Sequence, residues 1–352
     1  MITAKEIVAG VGGMECIALA ARQARNCFGA EVLGKVVPEA SASIDAAERA
    51  MWPQYLEACE LAALTLCGEN DVARLEETEG KTLRELCSNA FEFHRALGDT
   101  SGGIESVKRA LTAACVAILA SRVDDWRRWI KNATWPLDGQ ASEPNDWAGR
   151  LFFSTSDAFL RLVRKQGWSD LRAVANFVAD LRRDQANNEA AYLEAHNGIR
   201  QAAALELITF YHFAKAVESA AEFTGHGKPA DALGDVSLHM RHAIEAADVG
   251  GIVEWAVLLR WLRAALRRLI ETTLWHQLAA YNHRITEFKQ ALTRDEADWR
   301  PLFELLPPQQ DTVHSVMSLA LRAVVVQMPT SSGKTLLARL SLLEGLGLQA
   351  SP

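Results

Sequence analysis

From Met1 to about Arg300, apolar residues return every third or fourth position, and β-branched runs are scarce. That spacing puts them on one face of a helix, whereas a half-buried strand needs strict alternation. Ser43 followed by Ala46, Ala47, Ala50, Met51, Leu56, Leu61 and Leu64 traces one such face, with Pro53 a kink within it. Similar stretches cover 71–97, 104–132, 146–166 and 170–223. The last is too long for one globular helix, and Asn187-Asn188 and His196-Asn197-Gly198 are its expected breaks. Loops are expected at 36–43, at 134–145 with Pro136 and Pro144, and at 224–234 with Pro229. About one residue in six is Ala and aromatics are 7%, which favours packed helices and excludes an all-β fold. The expected class is mainly α, with an all-α module over 1–300 and a sub-boundary near 134–145. No repeat of fixed period marks a solenoid.

The net charge of −7 supplies no global attraction to nucleic acid or anionic lipid, so any such contact must come from a local patch. Cys16, Cys27, Cys59, Cys67, Cys87 and Cys115 lack a C-x-x-C pair and read as small core residues in a reducing compartment. The apolar stretch 7–21 is interrupted by Glu15 and lacks a basic start, and no run reaches the roughly 20 residues that span a bilayer. A cytoplasmic location without membrane contact is expected.

The texture changes after Trp299. Pro301 and Pro307-Pro308 break the helical pattern, a short helix is expected over 311–319, and Ala323-Val324-Val325-Val326-Gln327 reads as a buried parallel strand. It leads into Met328-Pro329-Thr330-Ser331-Ser332-Gly333-Lys334-Thr335 and then a helix with Leu336, Leu337, Leu340, Leu343 and Leu346 on its apolar face. Strand, small-residue loop and helix in this order form the context of a phosphate-binding loop. Backbone N–H groups of Thr330, Ser331, Ser332 and Gly333 would wrap the phosphates at the helix N-terminus. Lys334 would reach the β- and γ-phosphates, and the Thr335 hydroxyl would hold Mg²⁺. Met328 departs from the usual Gly or Ala of the first position. A Ser-rich turn before a helix is the plainer alternative. One strand and one helix cannot bury both faces of a sheet, so 323–352 is expected to pack poorly or to dock non-natively in the isolated chain.

Met-Pro-Thr-Ser-Ser-Gly-Lys-Thr resembles motif I of superfamily 2 helicases, in the Ski2-like DEAD/DEAH-type branch. Glu304-Leu305-Leu306-Pro307-Pro308-Gln309-Gln310 is similar to the lead-in of that branch, in which a glutamine reads adenine. Gln309 matches best, and Gln310 is the alternative. An amide carries the donor and acceptor that the N6/N7 edge requires. The resemblance covers only about 302–348. It implies that 301–352 opens a RecA-like α/β domain, cut short before the acidic motif and arginine fingers that hydrolysis needs. ATP and Mg²⁺ are the implied cofactors and DNA or RNA the implied substrate of a longer helicase or translocase. Large bacterial helicases of this kind resemble antiphage-defence components, which adds a protein effector subunit as a partner. Two rivals stand beside this reading: a non-catalytic interaction or regulatory module with a vestigial loop, and a different P-loop NTPase such as an AAA-type ATPase.

Arg260, Arg263 and Arg267 form a stripe on the helix beginning near Ile252, joined by Arg268 and flanked by Trp255 and Trp261. The stripe suits a phosphate backbone, although a solvated face paired to Glu254 and Glu271 is the commoner use of such a pattern. Trp126, Trp129, Trp135, Trp147 and Trp168 read as core where helical layers meet, with a binding surface as the rival. His239 and His242 lack a partner set for a metal, and Ser154-Thr155-Ser156-Asp157 reads as a helix cap.

Overall fold

The computed structural model describes residues 2–34, 46–68, 75–98, 103–132, 147–279, 283–296, 300–313 and 334–349. Among them fifteen α-helices form and no strand does, so the chain is mainly α. The first group is α1 (Ala4–Ala9), α2 (Met14–Gly34), α3 (Ala46–Gly68), α4 (Glu77–Leu97), α5 (Gly103–Leu119) and α6 (Val123–Asn132). Then follow α7 (Trp147–Arg164), α8 (Trp168–Ala195), α9 (Arg200–His226), α10 (Ala232–Val249) and α11 (Val253–Glu271). The chain continues through α12 (Leu274–Gln277), α13 (His283–Thr293), α14 (Pro307–Thr312) and α15 (Lys334–Gln349).

Local chemistry sets several of these ends. The Thr3 hydroxyl accepts from the Glu6 N–H while the Glu6 carboxylate accepts from the Thr3 N–H at 2.8 Å, a reciprocal cap on α1. Asp231 and Thr273 cap α10 and α12 in the one-sided form. At the end of α9, Gly227 adopts φ +69°, and a Cβ there would lie 2.5 Å from the Trp275 ring. Only glycine satisfies both the left-handed turn and the approach of the indole.

The structure keeps one of the expected breaks and moves others, through local contacts. The stretch 170–223 does divide at His196-Asn197-Gly198, where a 3₁₀ turn over Asn197–Ile199 separates α8 from α9. Asn187-Asn188, expected as a second break, lies inside α8, because the Asn188 amide donates to the Asp184 carbonyl one turn back and the helix continues. The stretch 104–132 is two helices, turned by Ser121 at φ 57° with the Arg122 N–H closing onto the Ala117 carbonyl at 2.7 Å. Ser154-Thr155-Ser156-Asp157 is not a cap. It sits mid-helix in α7, where the Thr155 hydroxyl donates to the Leu151 carbonyl and Asp157 pairs with Arg161 one turn on. Pro53 lies within α3, and the loops at 36–43 and 134–145 fall outside the described residues.

One continuous apolar core runs from Val8 to Phe303. Helices α2 and α3 pack on α4, α4 on α5, and α5 on α11, while α9 is flanked by α7, α8, α10 and α11. Helix α5 is the shared wall, with Val107, Leu111 and residues 113–119 buried. Trp126 and Trp147 are buried and Trp129 packs on Phe91, so among the described residues this tryptophan group is core. Cys27, Cys59, Cys67, Cys87 and Cys115 are buried thiols, and burial pushes Cys59 and Cys67 up to about 12.

Inside this core lies a charged hub. The Glu92 carboxylate on α4, only 1% exposed, accepts from Arg25 of α2 at 2.7 Å, from Arg95 at 3.2 Å and from Arg122 at 2.6 Å. Arg95 also stacks over Phe28 at 4.2 Å. The hub fixes α2, α4 and the α5–α6 turn to one another, since removing a single partner strands buried charge.

Candidate nucleotide-binding site

A second, smaller core holds the start of the helix that follows the expected phosphate loop. Leu274, Leu278, Ile285, Leu305 and Val313 are buried together with Leu337 and Leu340 of α15, and Leu336 packs against them. The start of α15 is therefore packed, with α12 and α13 supplying its apolar cover, while 323–333 lies outside the described residues. With Leu337 and Leu340 turned inward, Lys334 and Thr335 in the first turn stand exposed. An α-helix of this length presents unpaired N–H groups and partial positive charge at that end. Thr330, Ser331, Ser332 and Gly333, the expected strand 323–327 and the remainder of the helix expected at 311–319 lie outside the described residues.

The glutamines proposed to read a base sit on α14, which begins at Pro307, earlier than the expected helix. Gln309 is buried, and its carboxamide oxygen accepts from the Leu306 N–H at 2.8 Å, closing the helix N-terminus. The Gln310 side chain donates to the Leu305 carbonyl at 2.6 Å. Both side chains thus turn back on their own backbone. Helices α14 and α15 meet in the same small core through Val313, Leu337 and Leu340, so the two halves of the expected site share one support.

Residues 301–306 stitch this support to the main core. Thr273 and Glu304 form an antiparallel bridge, the Leu274 N–H donates to the Phe303 carbonyl at 2.9 Å, and the Leu302 N–H to the Leu292 carbonyl at 3.0 Å. Phe303 enters the main core edge-on to Trp168, with ring centres 5.5 Å apart. The Glu304 carboxylate accepts from Arg127 of α6 and, at 3.0 Å, from Lys165 after α7. Burial alone would raise the Glu304 pKa, but Lys165 and Arg127 overcome it and hold the carboxyl down to about 2. Lys165, 3% exposed, is pulled below the usual lysine range by burial, against the pull of Glu304.

On α11 the arginine stripe is internally occupied. Arg260 pairs with Asp248 of α10 at 3.0 Å, Arg267 with Glu271 at 2.9 Å, and Arg263 reaches the Cys67 carbonyl at the end of α3 at 3.5 Å. Arg268 also reaches Glu271, whereas Glu254 turns to Lys108 of α5 at 2.6 Å. Trp261 is buried, and Trp255 packs against Phe152.

His239 and His242 acquire a neighbour that sequence spacing could not show. His212 of α9 lies with its Nδ1 3.0 Å from Nδ1 of His239 and its ring centre 5.0 Å from that of His242. Among the described residues no three His, Cys, Asp or Glu side chains are arranged to hold a metal ion. No described helix is long and apolar enough to cross a membrane. Comparison with known families, curated proteins and solved structures finds no match to this chain.

Proposed function

We propose that the chain is the helical module and first nucleotide-binding segment of an ATP-dependent nucleic-acid helicase or translocase, with 301–352 opening a RecA-like domain of the Ski2-like type. The observation that carries this reading is the run from Pro329 to Thr335, which ends on a helix N-terminus where Lys334 and Thr335 are exposed while Leu337 and Leu340 anchor the helix from behind. In this reading Lys334 neutralises the β- and γ-phosphates, Thr335 holds Mg²⁺ and the backbone of 330–333 wraps the phosphate chain. Gln309 supplies the base-reading amide, and Arg260, Arg263 and Arg267 contact the DNA or RNA backbone, with a protein effector as a further partner.

The test is binding of a fluorescent ATP analogue with Mg²⁺. Saturable binding that Lys334→Ala abolishes is the expected result, and Gln309→Ala should weaken ATP more than GTP. Equal binding by wild type and Lys334→Ala would defeat the proposal. A second reading, a non-catalytic interaction module with a vestigial loop, draws support from the internal pairing of Gln309, Arg260 and Arg267. Under it neither protein binds nucleotide.

A further inference from the structure

Helices α9 and α10 form an extensively packed hairpin in this protein, and three of its nine histidines meet on the seam. His212 occupies the middle. Its Nδ1 shares a hydrogen bond with Nδ1 of His239, and the His242 ring stands roughly edge-on to it at 63°. One Nδ1 must donate and the other accept, so at least one of the two rings has to be neutral for the contact to exist. Charging both sets N–H against N–H at 3.0 Å in a half-buried site, with a third imidazole beside them.

We infer that His212, His239 and His242 form a proton-operated latch on the α9–α10 seam, closed while the His212–His239 contact holds a lone pair and released as pH falls through the histidine range. The surrounding charges fit this behaviour. Around His239 stand Lys215 and Glu218 on α9 and Asp235 and His242 on α10, and Lys215 and Glu218 are paired with each other. Burial and then the two neighbouring rings hold His212 below the ordinary value of 6.5. Burial and then Lys215 do the same for His239, with Asp235 and Glu218 opposing. For a histidine depressed in the folded state, the stabilisation is full above 6.5 and is lost as pH falls toward and past the folded midpoint. Beneath the latch lie Val236, Met240, Ala243, Ile244 and Ala247, the buried face of α10 that release would open.

The experiment is a proton NMR titration of the imidazole Cε1–H signals of the whole chain, in the presence of a chelator, for wild type, His239→Gln and His242→Gln. His212 and His239 should titrate below 6.5 in wild type, and the His212 midpoint should rise in His239→Gln because the opposing ring is gone. Thermal unfolding gives a second readout. The wild-type Tm should fall between pH 7.5 and 5 by at least about 1 °C more than that of His212→Gln. An unmoved His212 midpoint in His239→Gln overturns the inference. So does an equal fall in Tm for wild type and His212→Gln; if His212→Gln fails to fold, the His239→Gln titration decides alone.

Discussion

Glu304→Gln tests how the small core is fastened to the large one. The substitution keeps shape and one hydrogen-bonding oxygen but removes the negative charge that Lys165 and Arg127 share. Arg127 retains Asp124 at 3.1 Å and the Val163 carbonyl at 2.9 Å, whereas Lys165 is left as a 3% exposed ammonium. Holding a carboxyl at about 2 in place of 4.5 corresponds to about 3 kcal/mol, within the range of about 3–5 kcal/mol for removing one partner of a buried pair. Urea unfolding at pH 7 should therefore show a loss of about 3 kcal/mol. The Glu304 contribution is full above 4.5 and fades as pH falls toward 2, so wild type and variant should converge in acid. Adding Lys165→Met should restore much of the loss, since the stranded charge is gone. Hydrogen exchange should quicken over 301–313 and 334–342 before the rest. A Glu304→Gln protein within about 0.5 kcal/mol of wild type would refute the reasoning.

Other perturbations probe separate parts of the molecule. Replacing Arg260, Arg263 and Arg267 with Gln should flatten the salt dependence of oligonucleotide binding by about two to three log units per log unit of salt, at roughly 0.7–0.9 per phosphate contact. An unchanged slope in a folded variant favours the interaction module. Thiol labelling of the native chain should find Cys16 first and leave Cys59, Cys67, Cys87 and Cys115 slow, because burial suppresses their thiolates. Uniform rates across these five would contradict the packing. Gly227→Ala should cost about 1–3 kcal/mol, as its methyl meets the Trp275 ring at a left-handed turn, and an unaltered Tm would contradict that contact.

The helical class was legible because alanine-rich, 3.6-residue periodicity is a local property that neighbouring residues express together. The break at His196-Asn197-Gly198 was legible for the same reason. The turn at Ser121 was not, since it contains neither Gly nor Pro and depends on a backbone bond from Arg122 to Ala117. Asn187-Asn188 misled because a side-chain amide can bond backward along a helix as readily as it can end one. In the candidate site, the exposure of Lys334 followed from the leucine spacing. The engagement of Gln309 with Leu306 did not, because it depends on how one rotamer closes a helix start. The pairings of Glu92 with Arg25, Glu304 with Arg127 and His212 with His239 carried no sequence signal, as the two members lie 67, 177 and 27 residues apart.

The short extended segment at 301–306 has a mechanical consequence. Its backbone is clipped to α12 and α13, its Phe303 ring is wedged beside Trp168, and its Glu304 grips α6 and the end of α7. A pull transmitted to this segment therefore loads the main core at several neighbouring points, through Leu302, Phe303 and Glu304. Any loosening of the small core would be felt first at α6 and the end of α7, which hold Glu304.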